Sequence, residues 1–152
     1  MKKSPTTPKT QVKQALVELK ARRAARNGLI DYIQYTMPHY QAAKHHKFIA
    51  AKLEEVERGR IKRLIIEAPP RWGKSQLSSI HFPAWYLGRN PDKQVILATH
   101  NAEYAMTVGR QVRNLVSSDE SLRAFPASTL SEDSKSANRW HTQGGEIGRA
   151  HV

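Results

Sequence analysis

The chain has 152 residues, with 25 Lys/Arg against 13 Asp/Glu, a net charge of +12, and no cysteine. At ~100–200 residues per domain this length holds one domain, which excludes a motor, a nuclease and a regulatory module together. The lack of thiols excludes disulfide scaffolds, Cys-ligated zinc and thiol catalysis.

In chain order, residues 1–10 carry two prolines and little apolar content, so they read as a tail. Met1-Lys2-Lys3 leads into Ser, Pro and Thr rather than the apolar core of an export signal. No apolar run approaches the ~20 residues of a membrane span, so no membrane partner is expected. From Gln11 a basic helix is predicted, with Val12, Leu16 and Leu19 at helical spacing and an end at Asn27-Gly28. Residues 29–37 are mixed and stop at Pro38. A second helix is predicted over about residues 40–58, with Phe48, Ile49, Leu53 and Val56 on one face and Gly59 as its stop.

Residues 11–60 therefore form a basic helical segment, and the charge is concentrated there. Residues 1–63 hold 15 Lys/Arg and 5 Asp/Glu, whereas residues 64–152 hold 10 and 8. Such asymmetry points to an anionic partner, nucleic acid, with a solvated helix surface as the plainer reading.

Residues 61–145 have a different pattern. Arg63-Leu64-Ile65-Ile66-Glu67-Ala68 reads as a buried strand, residues 75–87 as a helix kinked or divided by Pro83, and Gly88 to Asp92 as a turn. Gln94 to Thr99 reads as a second strand, and residues 102–117 as a helix bearing Met106, Val108, Val112, Leu115 and Val116. The alternation predicts an α/β fold with parallel strands joined by right-handed crossovers. Residues 118–143 are polar, with an edge strand expected at Arg139-Trp140-His141-Thr142.

Ala68-Pro69-Pro70-Arg71-Trp72-Gly73-Lys74-Ser75 matches the phosphate-loop pattern G-x-x-x-x-G-K-[ST] except at its first position, which is Ala68. Such a loop needs a strand to deliver it and a helix whose free N–H groups and positive dipole end face the phosphates. Gly73 would let the backbone approach a phosphate, Lys74 would reach the β/γ oxygens, and the Ser75 hydroxyl would ligate Mg²⁺. Arg71 is a second cation that could stabilise transition-state charge, or merely pair with an acid. The expected nucleotide site comprises Pro70, Arg71, Trp72, Gly73, Lys74, Ser75 and Gln76, with Lys74 and Arg71 as catalytic cations and ATP–Mg²⁺ as ligand. No second apolar strand ending in Asp is present to hold Mg²⁺. Glu67 lies on the strand feeding the loop and cannot take that role.

Pro69 to Ser75, Phe82 to Pro91, Val95 to Asn101, Gly109 to Asn114, Leu130 to Ser134 and Arg139-Trp140 together resemble the large terminase subunit of tailed bacteriophages and prophages, over about residues 38–145. The resemblance implies the N-terminal part of a partial P-loop NTPase of the additional-strand catalytic-glutamate type, preceded by N-terminal helices. Such motors drive double-stranded viral DNA into procapsids and carry a C-terminal nuclease. It further implies a homo-oligomeric ring, the small terminase subunit and portal protein as partners, and the cytoplasm of the bacterial host as location. By the same resemblance His46 is a weaker candidate for the adenine side, and Arg110 and Arg113 could touch DNA or a neighbouring subunit. The family's Mg²⁺ aspartate, catalytic glutamate and nuclease acids have no counterparts here, so the expected fragment binds nucleotide but is inactive alone. Trp72 stands where related loops often carry a polar residue. A helicase-like P-loop ATPase and a non-enzymatic basic DNA-binding module are the alternatives.

Glu146 to Val152 are what the codons GAG ATC GGA AGA GCA CAC GTC encode, and after its first base that string is the start of a common sequencing-library adapter. Residues 146–152 are therefore expected to be a non-native tail and carry no functional role. The histidines at 39, 45, 46, 81, 100, 141 and 151 show no His-x-x-x-His spacing and suggest no metal site.

Overall fold

The computed structural model describes residues 8–131, 140–142 and 145–146. Its helices are α1 (Pro8–Asn27), α2 (Leu29–Thr36), α3 (Lys44–Glu57), α4 (Phe82–Arg89), α5 (Ala102–Val116) and α6 (Asp119–Ala124). The strands are β1 (His141–Thr142) and β2 (Gly145–Glu146), paired antiparallel.

α1 ends at Asn27, and Gly28 begins a second helix rather than mixed structure. Leu29, Tyr32 and Ile33 of α2 are buried, a one-sided pattern at helical spacing. The Leu29 N–H, which has no partner within its own helix, donates to Glu54 Oε1 of α3 at 2.8 Å. Tyr32 Oη shares a 2.5 Å hydrogen bond with Ser121 Oγ of α6. α3 buries Ile49, Ala50 and Leu53 but leaves Phe48 exposed, and Gly59, with φ of 74°, takes the left-handed conformation that ends it.

Helical backbone resumes at Lys74, runs through a π-helical stretch at Gln76–His81 and becomes α4 at Phe82. Pro83 is the second residue of α4 and does not break the helix: helical backbone runs through it from Lys74 to Arg89, with Phe82 N–H bonded back to Leu77 C=O, and the proline stands where π winding gives way to α. α4 is the hub of the core. Trp85 is fully buried, and its indole N–H donates to Ala25 C=O of α1 at 3.0 Å. Arg89 lies over the Trp85 ring at 5.0 Å, donates to Glu57 Oε1 of α3 at 2.9 Å, and caps α1 through Arg26 C=O at 2.5 Å. Gly88 makes this packing possible, because a Cβ there would lie 2.4 Å from the Phe125 ring.

α5 begins as its sequence dictates: the Asn101 side chain accepts from the N–H groups of Glu103 and Tyr104 at 2.8 and 3.2 Å. Ala105, Val108, Val112 and Val116 face the core. The polar stretch after residue 117 contains α6, capped by Ser118 Oγ accepting from Ser121 N–H at 3.2 Å. The expected edge strand is met at His141–Thr142; Arg139 lies outside the described residues. Glu146, assigned to the tail, belongs to β2, and residues 147–152 also lie outside them.

The expected α/β core with parallel strands is not formed. The described residues hold one two-stranded antiparallel pair in an otherwise helical body. Residues 63–68 and 94–97 carry no regular secondary structure, and isolated bridges occur only at Ala98 and Leu130 among the described residues. Their period-2 pattern survives. Leu64, Ile66, Val95 and Leu97 pack on the helical core, while Ile65 and Ile96 are 85% and 63% exposed. One face is thus half-buried against the core, but no ladder links the segments among the described residues. Side-chain alternation defines faces, whereas a sheet also requires lateral backbone pairing. No helix among the described residues is long and apolar enough to cross a membrane.

Candidate nucleotide-phosphate site

Residues 63–67, which carry no regular secondary structure, lead into the loop Ala68 to Ser75, and the following helix starts inside the motif, at Lys74. Leu77 N–H makes the first intrahelical bond, to Gly73 C=O at 3.0 Å. The N–H groups of Lys74, Ser75 and Gln76 therefore precede the helix's own hydrogen bonding and sit at its positive dipole end. Ser75 and Gln76 are exposed there.

Two residues in the loop have positive φ: Arg71 at 65° and Gly73 at 71°. For Gly73 this conformation has no steric penalty. A Cβ at Gly73 would lie 2.9 Å from His46 Nε2, so the glycine also allows α3 to approach the loop. For Arg71 the left-handed conformation costs ~1–2 kcal/mol, and its side chain is held out into solvent.

The lysine crosses its own loop. Lys74 Nζ donates to Pro69 C=O at 3.4 Å. This bond is long and neutral-acceptor in type, so a phosphate oxygen, which forms shorter and stronger charge-assisted bonds, would displace it. Ser78 Oγ donates to Lys74 C=O at 2.8 Å and fixes the turn beneath the lysine.

His46 supports the loop from below. Its Nδ1 accepts from Ala43 N–H at 3.3 Å, which requires the tautomer with the proton on Nε2. That Nε2–H donates to Trp72 C=O at 3.3 Å. The residue considered for the adenine side is thereby a brace under the loop. Its neighbour His45 packs 4.8 Å from the Trp72 ring. His45, Phe48, Trp72, Ile65 and Pro69 line a cleft of about 250 Å³ beside the loop. His45 Nε2 is buried without a hydrogen-bond partner. This cleft is not legible in the sequence, where Phe48 shares helical spacing with the buried Ile49 and Leu53. The useful signal was the adjacency of His45, His46 and Phe48 on one short helical stretch.

The donor set fits an anion: one ammonium, one guanidinium, a hydroxyl and a row of free amides, with no carboxylate in the loop itself. For Mg²⁺ the protein supplies only the Ser75 hydroxyl at this loop; no group of three His, Cys, Asp or Glu that could hold a metal occurs among the described residues. A bound Mg²⁺ would rest mainly on phosphate oxygens. On α5, Arg110 is exposed and Arg113 is half-buried, so the two are not equally available to a partner.

Replacing Arg71 by glycine separates strain from function. The variant is expected to be more stable by about 1 kcal/mol in urea unfolding, through relief of the positive φ. Its affinity for pyrophosphate should fall several-fold through loss of a cation. A stability gain with unchanged pyrophosphate affinity would remove Arg71 from the site.

Comparison with family models, with curated proteins and with solved structures finds no match to this chain.

Proposed function

We propose that residues 68–75 bind the triphosphate of ATP–Mg²⁺, and that the chain serves as nucleotide-binding part of a phage DNA-packaging large terminase subunit. In this reading Lys74 and Arg71 neutralise phosphate charge, the amides of Gly73 to Gln76 cradle the oxygens, and Ser75 contributes to Mg²⁺. The His45–Trp72–Phe48 cleft takes the base by stacking, beside rather than above His46. Double-stranded DNA meets the basic residues of the segment 22–63. The small terminase subunit, the portal protein and further copies of the chain are its partners, in the host cytoplasm.

The observation that carries the proposal is the loop itself: alternate left-handed residues at Arg71 and Gly73 running directly into a helix whose second residue is Ser75, with Lys74 folded back over the turn.

Titration with a fluorescent ATP analogue in Mg²⁺ tests it. Lys74→Ala is expected to weaken binding by about 10–100-fold, or ~1.4–2.7 kcal/mol, while affinity for a DNA duplex stays unchanged. Salt-sensitive DNA binding with no nucleotide binding by the wild-type chain would instead identify a basic DNA-binding module.

A further inference from the structure

α1 presents a face that neither the nucleotide loop nor the core uses. Val12, Leu16 and Leu19 recur at spacings of four and three and are 61%, 53% and 58% exposed. At 100° per residue they fall on one stripe. Lys9, Lys13 and Lys20 border one side of it, all exposed and without an ion pair among the described residues. The opposite face of α1 turns to the body. There Ala25 is buried, and the carboxylate of Glu18 accepts from the Tyr35 hydroxyl at 2.6 Å and from Arg22 at 2.8 Å. The single acid of this helix is thus satisfied away from the stripe, which leaves an apolar seam with an uncompensated cationic border.

We propose that this seam docks an acidic amphipathic helix of a partner protein. The four-three spacing is the seam of a helix pair, in which apolar residues interlock and flanking charges choose the partner. A second copy of α1 is disfavoured, since it would bring lysines against lysines. Duplex DNA would use the lysines but would gain nothing from three aliphatic side chains among them. An anionic bilayer would engage the stripe weakly, because it holds only aliphatic residues and none of the aromatic anchors of interfacial helices. A partner with leucines on its seam and glutamates beside it matches both features at once.

The test uses the full chain and a labelled synthetic peptide of about four heptads with Leu on the seam and Glu at the flanking positions. By fluorescence anisotropy the Glu-flanked peptide should bind at least about tenfold more tightly than its Lys-flanked counterpart. Leu16→Ser/Leu19→Ser should cost at least about tenfold in affinity. These side chains are exposed, so the urea midpoint of the body should not move. Lys9→Glu/Lys13→Glu/Lys20→Glu should invert the preference between the two peptides. Equal binding of both peptides, or a serine pair as tight as wild type, would overturn the proposal. So would a phosphatidylglycerol vesicle that binds wild type and serine pair alike and more tightly than the peptide does, or a DNA duplex that displaces the Glu-flanked peptide from the wild-type chain.

Discussion

Trp85→Ala is expected to destabilise the body by about 3–5 kcal/mol, the cost of emptying a fully buried large aromatic site. Three losses coincide. The indole leaves a cavity among α1, α2 and α4, Ala25 C=O loses its donor, and Arg89 loses the ring it covers while still tied to Glu57. Urea unfolding followed by circular dichroism measures this. Trp85→Phe divides the effect: it retains most of the apolar volume but orphans the carbonyl, and should cost about 1–3 kcal/mol. If the alanine variant unfolds within 1 kcal/mol of wild type, Trp85 is not the hub of the core.

The second large effect is a loss of stability in mild acid. His81 ends the π-helical stretch, is 2% exposed, and has no hydrogen-bond partner on either ring nitrogen among the described residues. The Tyr40 ring, 6.4 Å away, is its aromatic neighbour. Burial holds the imidazole neutral and lowers its pKa to about 4, from an ordinary value of 6.5. The unfolded chain therefore takes up a proton at this residue as pH falls below 6.5, whereas the folded chain does so only near 4. Stability is complete above 6.5 and declines across that window, by about 3 kcal/mol in all. His81→Leu removes the titration and two unpartnered buried nitrogens. It is expected to equal or exceed wild type at pH 7, and to lose about 3 kcal/mol less than wild type between pH 6.5 and pH 4. Parallel stability profiles for the two proteins would show that His81 is not the group responsible.

Local signals in the sequence translated well into local structure. Asn27-Gly28 and Gly59 each mark a helix boundary where expected, because capping and left-handed turns act within a few residues. The shorter helices α2 and α6 carry less of this signal. α6 is held by Ser118 at its start and by the Tyr32–Ser121 hydrogen bond across the core, a contact between residues 89 positions apart that no local pattern reveals.

The sheet failed for a related reason. Leu64, Ile66, Val95 and Leu97 announce a buried face and do pack on the core. The exposed Ile65 and Ile96 show that apolar content did not mean burial on both faces. Pairing of strands is a property of neighbours, not of the segment. At the candidate site, the order of Gly73, Lys74 and Ser75 correctly placed the helix start. It could not reveal that His46 would lie under the loop, which depends on how α3 packs.

The most direct test of the central claim is an amide-resolved titration of the ¹⁵N-labelled chain with ATP–Mg²⁺. If the loop cradles the phosphates, the largest and earliest shifts fall on the N–H groups of Gly73, Lys74, Ser75 and Gln76, and Lys74→Ala suppresses them. Shifts that leave these four amides unmoved and gather on the lysines and arginines of α1 would contradict it.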